Sequence, residues 1–311
     1  MTHADFLSLS DLTTEQIYAL LGRARGLKAH RGGLAELGGR SVAMVFQKPS
    51  LRTRASFDVA IHELGGHPMY LGPEEIGLGK RESIADVARV LSQYVHAIVA
   101  RTFRHEDLLC LAEMASVPVI NALSDYCHPC QGLADLLTLQ ECLGRLAGVR
   151  LAYIGDGNNV AYTLLHAAAR VGLNLTIAAP PAYAPDPEVV AYAAEESGKL
   201  GGSVTVTTDP NEAARGAEVL YTDVWTSMGQ EAEVEVRRHD FAGYVVDERL
   251  VSQATPDVIV MHDLPAHRGE EIADAVIDGP RSVVFQQAGN RLHTQKAILL
   301  WLLELPDRSL F

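Results

Sequence analysis

The chain has 311 residues, of which 48% are hydrophobic and only 6% aromatic, with 26 basic against 39 acidic residues and a net charge of −13. That length suits two domains of ordinary size or one large one, and the composition is that of a globular α/β protein. So acidic a chain is a poor sequence-independent binder of nucleic acid, and its few arginine clusters should serve a local anion. No apolar run reaches the length of a membrane span, and the first residues lack a basic stretch followed by an apolar core, so a soluble cytoplasmic protein is expected, without a membrane partner. Four cysteines, Cys110, Cys127, Cys130 and Cys142, are too few for a secreted disulfide framework in a chain of this size.

In chain order, Ser10–Lys28 has helical spacing, with Thr13 and Gln16 placed to close a capping box. Strand and helix patterns then alternate: strand Ser41–Phe46, helix Ala55–Leu64, strand His67–Leu71, helix Ile84–Tyr94, strand Ala97–Ala100, helix His105–Ala115, strand Val117–Asn121 and helix Gln131–Leu143. Beyond Gly144–Gly148 the alternation restarts. It runs through strand Arg150–Ile154, helix Ala161–Val171, strand Asn174–Ala178, helix Pro187–Glu196, strand Ser203–Thr207, helix Pro210–Arg215, and strands Val219–Thr222 and Val258–Met261, to a final helix Arg291–Leu305. Such alternation predicts an α/β fold of two doubly wound parallel-sheet domains, with ligands beyond the carboxyl ends of strands.

The most informative stretch is Ser50-Leu-Arg-Thr-Arg54. It follows an apolar strand and opens a helix, with Ser50 at the N-cap. A helix N-terminus offers unpaired N–H groups and a positive dipole end, and arginines add fork-shaped donors matched to phosphate oxygens. The segment therefore predicts a phosphate site; the plainer reading is a solvated basic helix start.

The other motifs are more ambiguous taken singly. Cys127-His-Pro-Cys130 has the spacing of a dithiol redox centre, or else presents His128 to polarise a carbonyl and Gln131 to donate an amide; as a metal site it is weak. Gly155-Asp-Gly-Asn-Asn159 begins like a dinucleotide fingerprint but has Val160 where the third glycine belongs, so its asparagines read better as polar contacts, or as a plain turn. Asp223 closes a strand and suits an ammonium group, with Ser227 and Met228 nearby; a helix cap is the rival reading. His262-Asp-Leu-Pro-Ala-His-Arg-Gly-Glu270 packs charges after an apolar strand, and Gln286–Arg291 places Arg291 at the start of the last helix.

In this order, Ser50-Leu-Arg-Thr-Arg54, Asn121–Asp125, His128-Pro-Cys-Gln131 with Leu133-Ala-Asp135, Gly155–Asn159, Asp223–Glu231, Leu264–Glu271 and Asn290-Arg-Leu-His293 resemble the aspartate/ornithine transcarbamoylase family. The Ser227-Met-Gly229 signature resembles its ornithine carbamoyltransferases. The resemblance covers nearly the whole chain. It implies a carbamoyl phosphate-binding domain, 1–140 plus the C-terminal helix 290–311, an amino-acid-binding domain, 148–285, an active site in the cleft, and a homotrimer whose neighbouring subunit completes each site.

Carried over by motif, the resemblance implies that Ser50, Leu51, Arg52 and Thr53 bind the phosphate of carbamoyl phosphate. Arg101 reaches phosphate and carbonyl, and His128, Gln131, the Leu264 carbonyl and Arg291 hold the carbamoyl group. Asn159, Asp223, Ser227 and Met228 hold the amino acid, and Asp263 lies near its reacting amine. Arg101, His128, Asp263 and Arg291 would be catalytic. The implied reaction moves the carbamoyl group to the side-chain amine of L-ornithine, giving L-citrulline and phosphate, with no metal or other cofactor and no covalent nucleophile. Other implied possibilities are a divergent transcarbamoylase for a related amine-bearing amino acid, and a non-catalytic relative that keeps the carbamoyl phosphate pocket.

Three departures stand out. Where the family has His-Cys-Leu-Pro this chain has His262-Asp-Leu-Pro265; Gln47 replaces a glutamate before the phosphate loop; and Gly289 replaces a glutamate before Asn290. A carboxylate at 263 holds the amine as an ammonium and slows attack, unless it is itself the proton acceptor.

Overall fold

Apart from the edge strands His67–Leu71 and Ser203–Thr207, the strands are short, apolar and buried along most of their length, which dictates sheets covered on both faces, and the computed structural model builds two of them. It describes residues 4–31, 34–227, 229 and 231–304. The chain divides into one unit of residues 1–137 with 289–311 and another of residues 138–288.

The first unit opens with α1 (Thr14–Ala29), whose capping box is made as expected: Thr13 accepts from the Gln16 N–H at 3.2 Å and the Gln16 side chain accepts from the Thr13 N–H at 2.8 Å. There follow β1 (Ser41–Phe46), α2 (Leu51–Glu63), β2 (His67–Leu71), α3 (Pro73–Ile76), α4 (Ile84–Leu91), β3 (Ala97–Arg101), α5 (His105–Met114), β4 (Val119–Leu123) and α6 (Pro129–Leu143). The strands are parallel in the order β2-β1-β3-β4, so the winding reverses between β1 and β3. Ala43, Val45, Ile98 and Ala100 pack with Val87, Leu108 and Leu111 of the flanking helices in one apolar core.

In the second unit β5 (Arg150–Ile154), α7 (Asn159–Val171), β6 (Asn174–Ala178), α8 (Pro187–Lys199), β7 (Ser203–Thr207), α9 (Pro210–Ala214) and β8 (Val219–Thr222) continue the alternation. Then come α10 (Val234–Asp240), α11 (Glu248–Val251), β9 (Ile259–His262), α12 (Asp274–Ile277) and α13 (Val284–Leu302). This sheet is also parallel, in the order β7-β6-β5-β8-β9, and reverses between β5 and β8. Its core gathers Ile154, Leu220, Trp225, Phe241 and Val260. The fold class is therefore that expected: two doubly wound α/β sheets.

Among the boundaries that move, two matter for the site. Helix α2 starts at Leu51, four residues before the apolar periodicity begins, because the Ser50 hydroxyl caps it by accepting from the Thr53 N–H at 3.3 Å. Helix α13 starts at Val284, so Arg291 lies two turns inside it and not at its start. Gly289 reads as a breaker in sequence, yet it sits within the helix with open space where a Cβ would be. The short helices α10 to α12 carry mixed charged segments that give no clear period and were not expected.

Gly157, just beyond β5, is held by its N–H to the Tyr183 carbonyl at 2.8 Å. A Cβ there would lie 2.5 Å from both that oxygen and the Pro185 nitrogen. Gly157→Ala should therefore destabilise the fold by about 1–3 kcal/mol, read as a lower urea midpoint at unchanged slope.

Candidate active site

In doubly wound sheets the crevice beyond the carboxyl ends of strands, at the reversal of strand order, is where ligands bind. The first unit places most of the expected residues there. The turn after β1 leads through Lys48 to Ser50 and the first turn of α2, and Arg101 ends β3 on the other side of the reversal. Thr53 is fully buried and its Oγ1 accepts from the Arg291 guanidinium at 2.7 Å, so α13 is tied to the phosphate loop by side chains 238 residues apart. Leu51 is 79% exposed and can serve a ligand only through its backbone N–H. Arg54 instead stacks over Tyr70, 3.8 Å from the ring centre.

His128 is buried at the start of α6. Burial first, then the charges of Arg291, Arg101, Lys48 and Arg52, hold its pKa well below the ordinary histidine value. It is therefore a neutral imidazole, able to donate one N–H but not to act as an acid. Lys48 is buried too, its ammonium 5.1 Å from the centre of the Phe103 ring. Burial and the neighbouring Arg101 lower its pKa to about 8, against a smaller pull from Asp125. Four cations thus crowd one buried imidazole, an arrangement that calls for an anion.

Gln131, also buried, donates its amide nitrogen to Asp135 at 2.8 Å, which leaves its carbonyl oxygen buried with no hydrogen-bond partner. This corrects the expectation that Gln131 acts as an amide donor: a carboxylate only accepts, so Asp135 fixes the amide orientation and the unused end is an acceptor. The Arg291 Nε is likewise buried without a partner. One unsatisfied donor and one unsatisfied acceptor beside neutral His128 match a ligand that is itself an amide.

The dithiol reading fails on burial. Cys127 and Cys130 are buried free thiols whose pKa burial pushes up to about 12. Their Sγ atoms lie 3.4 Å from the Leu7 carbonyl and 3.3 Å from the Asn121 carbonyl. Thiols so far from ionising are poor nucleophiles.

The second unit gathers carboxylates at its own reversal, between β5 and β8. Asn158, not Asn159, is the anchor: its Oδ1 caps α7 by accepting from the Val160 and Ala161 N–H groups at 2.9 and 3.3 Å, and its Nδ2 donates to Asp223 at 2.9 Å. Asn159 is the first residue of α7 and half-buried, and Ser227 is half-buried beyond β8. Met228 lies outside the described residues. Asp223 is buried; desolvation first, and then the charge of Asp263, raise its pKa to about 7.

Asp263 and Leu264 are held from behind by His262. Its Nδ1 accepts from the Leu264 N–H at 2.8 Å, which puts its proton on Nε2, facing Glu271 at 2.9 Å. Glu271 also accepts from the His267 N–H at 2.6 Å. This network holds Leu264 at φ 61°, a conformation a leucine adopts only when its surroundings impose it.

Three contributors were missed in sequence. Lys48 has no distinguishing spacing, although its place between an apolar strand and the arginine loop was a signal. Asp156 and Arg237 form a buried ion pair at 2.8 Å; Arg237 also donates to the Trp225 carbonyl at 2.8 Å and to Glu233 at 2.8 Å. That pair ties the loop after β5 to the segment after β8, and no sequence pattern links residues 81 apart.

Comparison with known proteins covers both units. The family model described as the carbamoyl-P binding domain of aspartate/ornithine carbamoyltransferase matches residues 4–141, and that of its Asp/Orn binding domain matches residues 147–302. The chain is 58% identical over 300 residues to the ornithine carbamoyltransferase of Acidothermus cellulolyticus, covering 96% of each chain. It is 56% identical over 308 residues to that of a Parafrankia species, covering 98% of this chain and 97% of the relative. The solved ornithine carbamoyltransferase of Pyrococcus furiosus is similar at TM-score 0.92 and 49% identity, over 96% of each chain.

Removing Arg237 strands the Asp156 carboxylate in a buried site, where burial already raises its pKa against the pull of the guanidinium. Arg237→Ala should cost about 3–5 kcal/mol. Adding Asp156→Asn in the same chain should recover part of that loss in urea titrations.

Proposed function

This chain belongs to the aspartate/ornithine carbamoyltransferase family, and we propose on that premise that it transfers the carbamoyl group of carbamoyl phosphate to the side-chain amine of L-ornithine, giving L-citrulline and phosphate. The observation that carries the reading is identity above one half to ornithine carbamoyltransferases along 96% or more of the chain. The chemistry of the two half-sites supports it.

In the first unit, the N–H groups at the start of α2, with Ser50, Arg52, Thr53, Arg101 and Lys48, take the phosphate. Gln131 accepts from the carbamoyl NH2, while His128 and Arg291 donate to its carbonyl oxygen. In the second unit, Asp223, with Asn159, Ser227 and Met228, takes the α-amino and α-carboxylate groups of ornithine. Asp263 takes the side-chain ammonium.

Transfer needs a neutral amine to attack the carbonyl carbon while phosphate leaves. Negative charge grows on the carbonyl oxygen and on the leaving group, where preorganised arginines, Lys48 and the neutral His128 donor stabilise it. Holding both substrates in one reaction volume supplies the proximity term. The same reading gives a homotrimer in the cytoplasm, working in the biosynthetic direction toward arginine.

Purified protein supplied with carbamoyl phosphate and ornithine should form citrulline and phosphate in equal amounts, and light scattering should give about 100 kDa, three times the 33.6 kDa chain. Carbamoyl phosphate binding without citrulline would sink the assignment. Arg52→Ala should lower kcat/KM for carbamoyl phosphate by about 10²-fold or more.

Lys48 binds phosphate only while protonated, so kcat/KM for carbamoyl phosphate should fall as pH rises through about 8. Lys48→Arg, whose guanidinium stays charged, should move that limb well to higher pH.

A further inference from the structure

Strands β8 and β9 are parallel neighbours with Thr222 opposite His262, so the next residue on each, Asp223 and Asp263, falls at the same level beyond the sheet. Adjacent strands lie about 4.8 Å apart. Two carboxyl groups are therefore presented side by side at the carboxyl edge, where this fold binds its ligand. On the third strand of the set, Ile154 pairs with Thr222, and Tyr153 of that strand is a buried phenol facing Asp223, Asp263, Asp156 and Glu271.

The surroundings fix the electrostatics of the pair. From the start of α7, Asn158 donates to Asp223. From β9, His262 draws the Asp223 pKa down, but its two ring nitrogens are already engaged by the Leu264 N–H and Glu271. From α10, Arg237 is spent on Asp156 and Glu233. Burial and the adjacent charge of Asp263 prevail, and Asp223 titrates near neutrality. Asp223 is buried and Asp263 half-buried on the neighbouring strand, and two carboxyl groups placed side by side in this way share a proton and titrate as a pair.

We infer that Asp223 and Asp263 work as one proton-sharing pair in which Asp263 removes the proton from the side-chain ammonium of the acceptor amino acid while Asp223 keeps its place at the α-amino group. This rests on the ornithine reading above. An alkylammonium ionises near 10.4 and an isolated aspartate near 3.9, so a lone carboxylate would take the proton with an equilibrium of roughly one in a million. A pair that titrates near neutrality narrows this to roughly one in a few thousand, within the reach of a general base. It also answers how a carboxylate at 263 escapes merely trapping the amine as an ammonium.

The step balances. A proton passes from the ammonium nitrogen to an Asp263 oxygen, and the freed lone pair forms the C–N bond to the carbonyl carbon. The C–O bond to phosphate breaks, its electron pair leaving with the phosphate. The second nitrogen proton goes to the departing phosphate, and the carboxyl pair returns its proton to solvent.

The test follows Asp263→Asn and Asp263→Glu beside the unchanged protein, by two readouts. Isotope-edited infrared of the aspartate carboxyl groups should show one titrating near neutrality. Asp263→Asn should move that titration to lower pH, since burial of Asp223 remains and only the neighbouring charge is lost, whereas Asp263→Glu should keep it. In citrulline assays across pH, Asp263→Asn should lose the acidic limb of kcat/KM for ornithine and about 10²-fold or more in kcat. Its KM for carbamoyl phosphate should hold, which also reports a folded protein.

An Asp223 titration unmoved by Asp263→Asn overturns the pair. A moved titration with unchanged kcat and pH profile overturns its role as base and leaves a purely electrostatic clamp. Absence of citrulline from the unchanged protein overturns the ornithine reading and the proton transfer with it, while the infrared titration still decides the pair.

Discussion

Everything in the first half-site depends on four cations being held around one buried imidazole. Burial first, and then Arg291, Arg101, Lys48 and Arg52, push His128 away from protonation, and packing like charges in a buried place is costly unless something anionic completes the set. The fold meets that cost partly through neutral anchors. Thr53 accepts from Arg291 through a hydroxyl, and the neutral amide of Gln131 is oriented by Asp135. The remaining deficit is one that an anion of high charge would compensate, and affinity and orientation would then have the same electrostatic origin. The second half-site has the opposite sign, with Asp223, Asp263, Asp156 and Glu271 acting on Tyr153. The two half-sites thus carry opposite local charge in a chain whose overall charge is −13.

The topology explains why the two signs stay separate. Each sheet reverses its winding once, between β1 and β3 in one unit and between β5 and β8 in the other. Each reversal exposes the ends of two adjacent strands, and the polar residues that follow those strands collect there. Arginines follow the first pair and carboxylates the second, so a single architectural rule repeated with different chemistry gives two complementary sites.

Much of this was legible because parallel strands announce themselves as short apolar runs and their carboxyl ends are where function sits. The strands, and the Ser50 cap of the arginine-bearing helix start, were read directly. What escaped depended on tertiary partners. The start of α13 escaped because Gly289 and Asn290 look like a break, while the helix is pinned by Lys28 donating to Asn290 at 2.7 Å and by Arg291 reaching Thr53. The anchoring role of Asn158 escaped because adjacent asparagines are indistinguishable until one caps a helix. Lys48 and the Asp156–Arg237 pair escaped because burial, and not residue type, gives them their roles.

The departures from the family pattern separate along the same physical line. Gln47 is accommodated: its Nε2 lies 3.3 Å from both the Leu78 carbonyl and Asp107, and its Oε1 accepts from the Phe103 N–H at 2.7 Å. A glutamate has no donor for the first two contacts, so the amide is fitted to this loop. Gly289 leaves open space on a helix that other side chains already hold. Asp263 is different in kind, because it adds a charge beside a buried charge and alters the titration of its neighbour. The first two substitutions adjust packing and hydrogen bonding around an unchanged anion site. The third changes the proton inventory beside Asp223, and so it alone bears on the proton transfer proposed above.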